Sequence, residues 1–162
     1  MTAFKRHYET HFLGYDLVFA LVFSAIVVIT AELVWGRSQV MQSLNGTRQG
    51  IYGALASIAG SLLGFSITTV SIVMGFIQVP QLQILRESQH HQTLYAVFFS
   101  TIKYLALAVA LPLIALLMDR DSAPLIWVGY AVLAITAIAT MRLYRSMWAL
   151  QKVIQLAIAY RP

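Results

Sequence analysis

Small and hydroxyl-bearing side chains recur along one apolar stretch of the chain, residues 51–79, which contains no charged residue. At the helical period these side chains fall within a sector of about 100°. Hydroxyl oxygens on such a face offer weak, exchangeable contacts to ions, and glycines let a second helix approach closely. The members of this small-residue face are Gly53, Ser57, Gly60, Ser61, Gly64, Thr68, Ser71, Gly75 and Gln78.

The small-residue face has two interpretations. Gly60 and Gly64 form a GxxxG motif, and Ser57 and Ser61 repeat its spacing, which is typical of close packing between membrane helices. Alternatively, the face lines a pore or a ligand cavity. It runs nearly the full height of a membrane, which is longer than a single helix crossing requires, so both interpretations stay open.

Three ionisable residues lie at the edges of apolar segments, where such groups are functional candidates. Asp16 and Glu32 are 16 residues apart, or about 24 Å on a helix. Glu32 is expected either to contribute to an acidic ring at a pore mouth or to lie in solvent near Arg37. Lys103 is expected at the inner boundary, with its ammonium reaching toward water and with Asp16 as its structural partner.

Metal binding and catalysis are not expected. The four histidines, His7, His11, His90 and His91, lie outside the apolar segments and are interpreted as interfacial residues rather than as a shared metal site. The chain has no HExxH motif, no P-loop, no Ser-His-Asp arrangement and no closely paired carboxylates. We therefore expect neither an enzyme nor a bound cofactor.

The composition is that of an integral membrane protein. Of the 162 residues, 59% are apolar and 10% are charged, against about 25% charged in a typical soluble domain. The length allows one domain, and the absence of cysteine excludes disulfides and thiol chemistry. The net charge of +5 comes from basic residues at the ends of the apolar segments, so we do not expect nucleic-acid binding.

Four segments are apolar enough to cross a bilayer, for which a helix needs about 20 residues. We place them at residues 13–35, 51–79, 95–118 and 125–141. The first is expected to be an anchor rather than a signal peptide, because its apolar run is long and Glu32 interrupts the usual cleavage region. Short connections, with an Asn45-Gly46 turn in the loop 36–50 and a tight turn at 119–124, predict that sequential helices pack antiparallel. The predicted fold is an all-α four-helix bundle in the membrane.

The distribution of Lys and Arg predicts that both termini are cytoplasmic, with eight basic residues on the inner side and three on the outer side. Tyr52 is among the aromatic residues expected at the outer interface. Residues 80–93 and the tail 142–162 are expected to form amphipathic cytoplasmic helices after the second and fourth spans.

These features favour a homo-oligomeric ion channel in the cell membrane, with the second helix lining the path and Glu32 or Gln78 at a mouth. The alternative is a non-conducting membrane scaffold or sensor subunit that docks a soluble cytoplasmic partner. A transporter is disfavoured, because no span carries a central charge and no inverted repeat is visible.

Overall fold

The computed structural model describes the backbone of residues 3–77, 90–119 and 124–159, and most of the side chains from residue 14 to residue 155. These ranges contain four helices and no strand. The helices are α1 (Ala3–Ser43), α2 (Arg48–Ile77), α3 (His90–Met118) and α4 (Ile126–Ala159). The all-α prediction is confirmed.

Each of these four helices is long and apolar enough to cross a membrane, as predicted. The candidate spans are Gly14–Val40, Arg48–Gly75, Leu94–Met118 and Ile126–Lys152. Helix α4 continues past Arg142 and Arg145 to Ala159. Both arginines contact Asp16 of α1. Residues 78–89, which include most of the predicted inner extension, lie outside the described residues.

The helices run alternately up and down, and they pack in the order α2, α3, α4, α1. We call the two ends of the bundle by their buried carboxylates. The Asp16 end holds Asp16, Thr101 and Arg142. The Asp119 end holds Arg48 and Asp119. Sequential packing was predicted throughout, but α1 packs along α4 and makes only marginal contact with α2 in the described residues. That part of the prediction is wrong.

A four-residue turn at 44–47 joins α1 to α2. The predicted Asn45-Gly46 turn is confirmed, since Gly46 has φ +75° and the Thr47 amide donates to the Leu44 carbonyl over 3.2 Å. The rest of the predicted loop 36–50 is helical. Within α1, Gly36 has φ +73°, a left-handed backbone conformation that glycine adopts readily and other residues rarely do.

The core runs along the α2–α3–α4 layer in three clusters. Alanines dominate its centre, where their small side chains let the helices approach closely. The central cluster consists of Ala59, Leu105, Ala108, Ile135 and Ala139. Tyr52, Ala115 and Val132 form the cluster at the Asp119 end. Val70, Val73 and Phe98 form the third cluster at the Asp16 end, with Leu150 of α4 packed against it.

α1 is the most exposed of the four helices. It buries Asp16, Ala20 and Ser24, one residue per turn, against the bundle, while large apolar side chains such as Phe19 and Leu33 face outward, as expected in lipid. Exposed aromatic residues mark both ends of the bundle, as is typical of membrane interfaces. They are Trp35 and Trp127 at the Asp119 end, and Tyr15, Tyr144 and Trp148 at the Asp16 end.

Candidate functional sites

The two sides of α2 differ in composition and in burial. One side packs against the bundle through residues at spacings of three, four and seven, as expected for a helix in a bundle. These residues are Tyr52, Ala56, Ala59, Ser66, Val70 and Val73. The small-residue face lies on the opposite side. Ser57, Ser61, Gly64, Thr68, Ser71 and Gly75 are exposed, and Gly53 and Gly60 are half-buried at its edge. Gln78 lies outside the described residues.

Packing within the subunit does not require the glycines of this face. A Cβ atom added at Gly53, Gly64 or Gly75 would meet no heavy atom of the described residues within 4 Å. At Gly60 it would lie 3.9 Å from Val109 Cγ2, which is an ordinary van der Waals distance. Packing among the described helices therefore leaves room for a side chain at each of these positions.

Three hydroxyl groups of the face are satisfied as donors by their own helix. Ser61 Oγ donates to the Ser57 carbonyl over 3.1 Å, and Ser71 Oγ donates to the Ile67 carbonyl over 3.0 Å. Thr68 Oγ1 donates to the Phe65 carbonyl over 2.9 Å. Each hydroxyl has one proton and two lone pairs, so the oxygens keep acceptor capacity on the outer surface. Such a surface suits water and cations better than anions.

Asp119 forms a buried polar cluster that joins three segments of the chain. Its Oδ1 lies 3.3 Å from Arg48 Nη1 and accepts the Leu125 amide at 2.8 Å, while Oδ2 accepts the Tyr52 hydroxyl at 2.7 Å. The Asp119 side chain is 1% exposed and the Arg48 side chain 6%. Asp119 directly follows α3, in the predicted turn 119–124, whereas Arg48 is the first residue of α2 rather than part of a loop. Burial of these side chains and of Tyr52 was not predicted. Since α2 and α3 run antiparallel, the start of α2 lies beside the end of α3. That arrangement could have suggested the Arg48–Asp119 pair from the sequence.

Asp16 pairs with two arginines of α4 rather than with Lys103. Arg145 binds the carboxylate through two nitrogens, with Nη2 at 2.8 Å from Oδ1 and Nε at 2.7 Å from Oδ2. This is the bidentate geometry of a strong ion pair. Arg142 Nη1 lies 3.7 Å from Oδ2, and its guanidinium lies 5.3 Å from the centre of the Tyr104 ring. The predicted Asp16–Lys103 pair is wrong. Because α1 packs along α4, the two arginines of α4, rather than Lys103 of α3, lie beside the carboxylate.

Glu32 is held within the subunit. It accepts a hydrogen bond from the Tyr130 hydroxyl, which joins α1 to α4 near the Asp119 end. The Glu32 side chain is half-buried and bonded to Tyr130. Beside it, a mostly apolar cavity of about 250 Å³ lies between α1, α2 and α4, with Val28, Leu44 and Leu55 among its lining residues.

No group of three or more metal-ligating side chains occurs within the ranges that the structure describes. The structure does not describe the side chains of the four histidines, His7, His11, His90 and His91. No protein-family model matches the chain, and no curated protein or solved structure matches it either. Its function is therefore inferred from the geometry of the small-residue face and of the charged clusters.

Proposed function

We propose that this chain forms a homo-oligomeric ion channel in the cell membrane, in which the small-residue faces of several α2 helices surround a shared path. The observation that carries the proposal is the position of that face, on the outside of the subunit and opposite the buried side of α2. A face directed away from the core of its own bundle is free to meet the same face of another copy.

The glycines support assembly. A glycine in a helix interior costs about 1 kcal/mol relative to alanine in water, and no contact among the described residues depends on Gly53, Gly64 or Gly75. Close approach of helices from neighbouring copies would offset this cost through van der Waals contact, which drives helix association where the hydrophobic effect is absent.

The hydroxyls support conduction of cations. Ser61, Thr68 and Ser71 donate to their own helix and keep oxygen lone pairs on the exposed side, where oxygens can partly replace the hydration shell of a permeating cation. We assign the path to α2 alone, because Glu32 is engaged by Tyr130. In this proposal the protein has no catalytic role.

We place both termini in the cytoplasm on the basis of the Lys and Arg distribution. The pairing of Asp16 with Arg145 supports the placement of the two ends of the chain on one side. Because the chain has no cysteine, single substitutions Ser43→Cys and Gln155→Cys can be labelled in intact cells with a membrane-impermeant maleimide. We expect labelling of Ser43→Cys alone. Labelling of Gln155→Cys alone would indicate the opposite orientation.

The decisive experiment combines the mass of the purified protein in mild detergent with ion flux from liposomes that contain it. Ser61→Leu is expected to keep the oligomer and to abolish flux, because it places a bulky apolar group on the path. Ala106→Leu, the same kind of enlargement at an exposed position of α3, is the matched control and should change neither. A monomer, or an oligomer that conducts no ions at any potential, would overturn the channel proposal.

A non-conducting scaffold or sensor subunit is the second candidate. It is favoured by exposed apolar side chains on the part of α4 that follows Arg142, where Met147 is 58% and Ile154 is 49% exposed. These residues offer a surface to a soluble cytoplasmic partner. The two candidates differ in the same experiment, since a packing interface would lose its oligomer on Ser61→Leu whereas a pore would lose only its flux.

A further inference from the structure

A basic groove lies at the Asp16 end of the bundle, between α1 and α3 and floored by α4. It has a volume of about 470 Å³ and opens to the outside of the molecule. Four of its seven lining residues carry a polar or basic group, whereas most of its exposed lining surface is apolar. The lining residues are Gly14, Leu17, Phe99, Ser100, Lys103, Tyr104 and Arg142.

Basic side chains outnumber acidic ones around this groove among the side chains that the structure describes. They are Arg142, Arg145 and Lys103, against Asp16. Arg145 binds Asp16 through two nitrogens, at 2.7 and 2.8 Å, and Arg142 lies farther from Asp16, at 3.7 Å. Lys103 is the exposed basic side chain of the lining.

The depth of the groove places it where lipid phosphates lie. Lys103 and Asp119 are 16 residues apart on α3, which corresponds to about 24 Å, and the hydrocarbon core is about 30 Å thick. With Asp119 at one boundary of the core, the Lys103 backbone lies about 6 Å inside the other. Lys103 can extend its ammonium to that boundary, and exposed Tyr144 and Trp148 mark the same end.

We propose that this groove binds the phosphate of an anionic phospholipid. Lys103 and Arg142 attract the phosphate, the Ser100 and Tyr104 hydroxyls add hydrogen-bonding capacity, and Leu17 and Phe99 contact the beginning of the acyl chains. The apolar part of the lining distinguishes this site from one built for free phosphate. Basic pockets between membrane helices are suited to anionic headgroups for the same electrostatic reason.

The proposal is tested by lipid retention. The protein is reconstituted in vesicles of phosphatidylcholine and phosphatidylglycerol, extracted in mild detergent and examined by native mass spectrometry. Preferential retention of phosphatidylglycerol is expected. Lys103→Gln should lower that retention about fivefold, the effect of one basic side chain near the membrane surface, and Lys103→Arg should preserve it.

Lys152→Gln is the matched control, because Lys152 is an exposed lysine on α4, packed on Trp148 at 5.7 Å and outside the groove lining. Its retention of phosphatidylglycerol should equal that of the unaltered protein. Equal losses in the two variants would overturn the proposal in favour of diffuse surface charge, and so would equal retention of both lipids. If inorganic phosphate raises the melting temperature of the protein in detergent as much as phosphatidylglycerol does, the groove binds free phosphate rather than a lipid, and the proposal is overturned.

The groove is independent of the small-residue face, since none of its lining residues belongs to α2. Loss of lipid preference in Lys103→Gln without loss of the oligomer would separate this site from the channel proposal. Retention of the lipid by a protein that conducts no ions would leave the groove established and overturn only the channel.

Discussion

Arg48, the first residue of α2, and Asp119, which follows the last residue of α3, form an ion pair of 3.3 Å at one end of the bundle, and both side chains are buried. Tyr52, one turn along α2, donates to the same carboxylate. The Leu125 amide, at the entrance to α4, donates to it as well. A single carboxylate thus joins the ends of three helices, and burial makes this junction sensitive to the loss of either charge.

Removal of Asp119 should be strongly destabilising. Asp119→Ala leaves Arg48 buried without its carboxylate, and we expect the free energy of unfolding to fall by about 3 kcal/mol. Tyr52→Phe removes one hydrogen bond to the charged group and should cost about 1.5 kcal/mol. Titration from mild detergent into dodecyl sulfate measures both. If Asp119→Ala costs no more than Tyr52→Phe, the buried pair does not anchor this end.

The partner of Asp16 can be identified by comparing two substitutions. Asp16→Asn removes the charge that Arg142 and Arg145 share, and we expect a loss of about 2 kcal/mol in the free energy of unfolding. Lys103→Gln alters an exposed side chain and should cost less than about 0.5 kcal/mol. The same detergent titration applies. Equal costs would favour Lys103 as the partner of Asp16, contrary to the structure.

Thr101 makes a side-chain hydrogen bond between helices that the spacing of the sequence does not reveal. It is fully buried, and its Oγ1 lies 3.0 Å from the Arg142 carbonyl of α4 and 2.9 Å from the Val97 carbonyl of its own helix. Thr101→Val keeps the shape and should lower the free energy of unfolding by about 1 kcal/mol.

Thr140→Val is the control for that substitution, because Thr140 is exposed and bonds only within α4, to the Thr136 carbonyl. Its effect should stay within about 0.5 kcal/mol. A similar loss in the two variants would mean that the contact between α3 and α4 adds nothing beyond the bond within the helix.

Gly36 is expected to resist substitution. Its φ of +73° is unfavourable for a residue with a Cβ atom, so Gly36→Ala should cost about 1 kcal/mol, although a Cβ there would meet no neighbour within 4 Å. Gly50→Ala, in the first turn of α2 without a positive φ, should be neutral or slightly stabilising. Thermal unfolding followed by circular dichroism compares the two. No difference between them would contradict a special conformation at Gly36.

Much of the architecture is predictable because it depends on local composition. Runs of about 20 apolar residues predict helices in a bilayer, where every backbone polar group has to be satisfied within its segment. Asn45-Gly46 predicts the turn between α1 and α2, because such a dipeptide is a turn signal that depends only on local sequence. The pairing of Arg142 and Arg145 with Asp16 was not predictable in this way, because it joins residues of the first and last helices.

The sequence by itself determined the class of the protein, its four helices and the periodic face of α2, since composition and the helical period act over short distances along the chain. Only the tertiary structure decided which way that face points and which charges pair. Both depend on the order in which helices pack, and α1 lies against α4 rather than α2. That order results from contacts between residues far apart in the chain, such as Asp16 with Arg145 and Arg48 with Asp119, and a helical period carries no information about them.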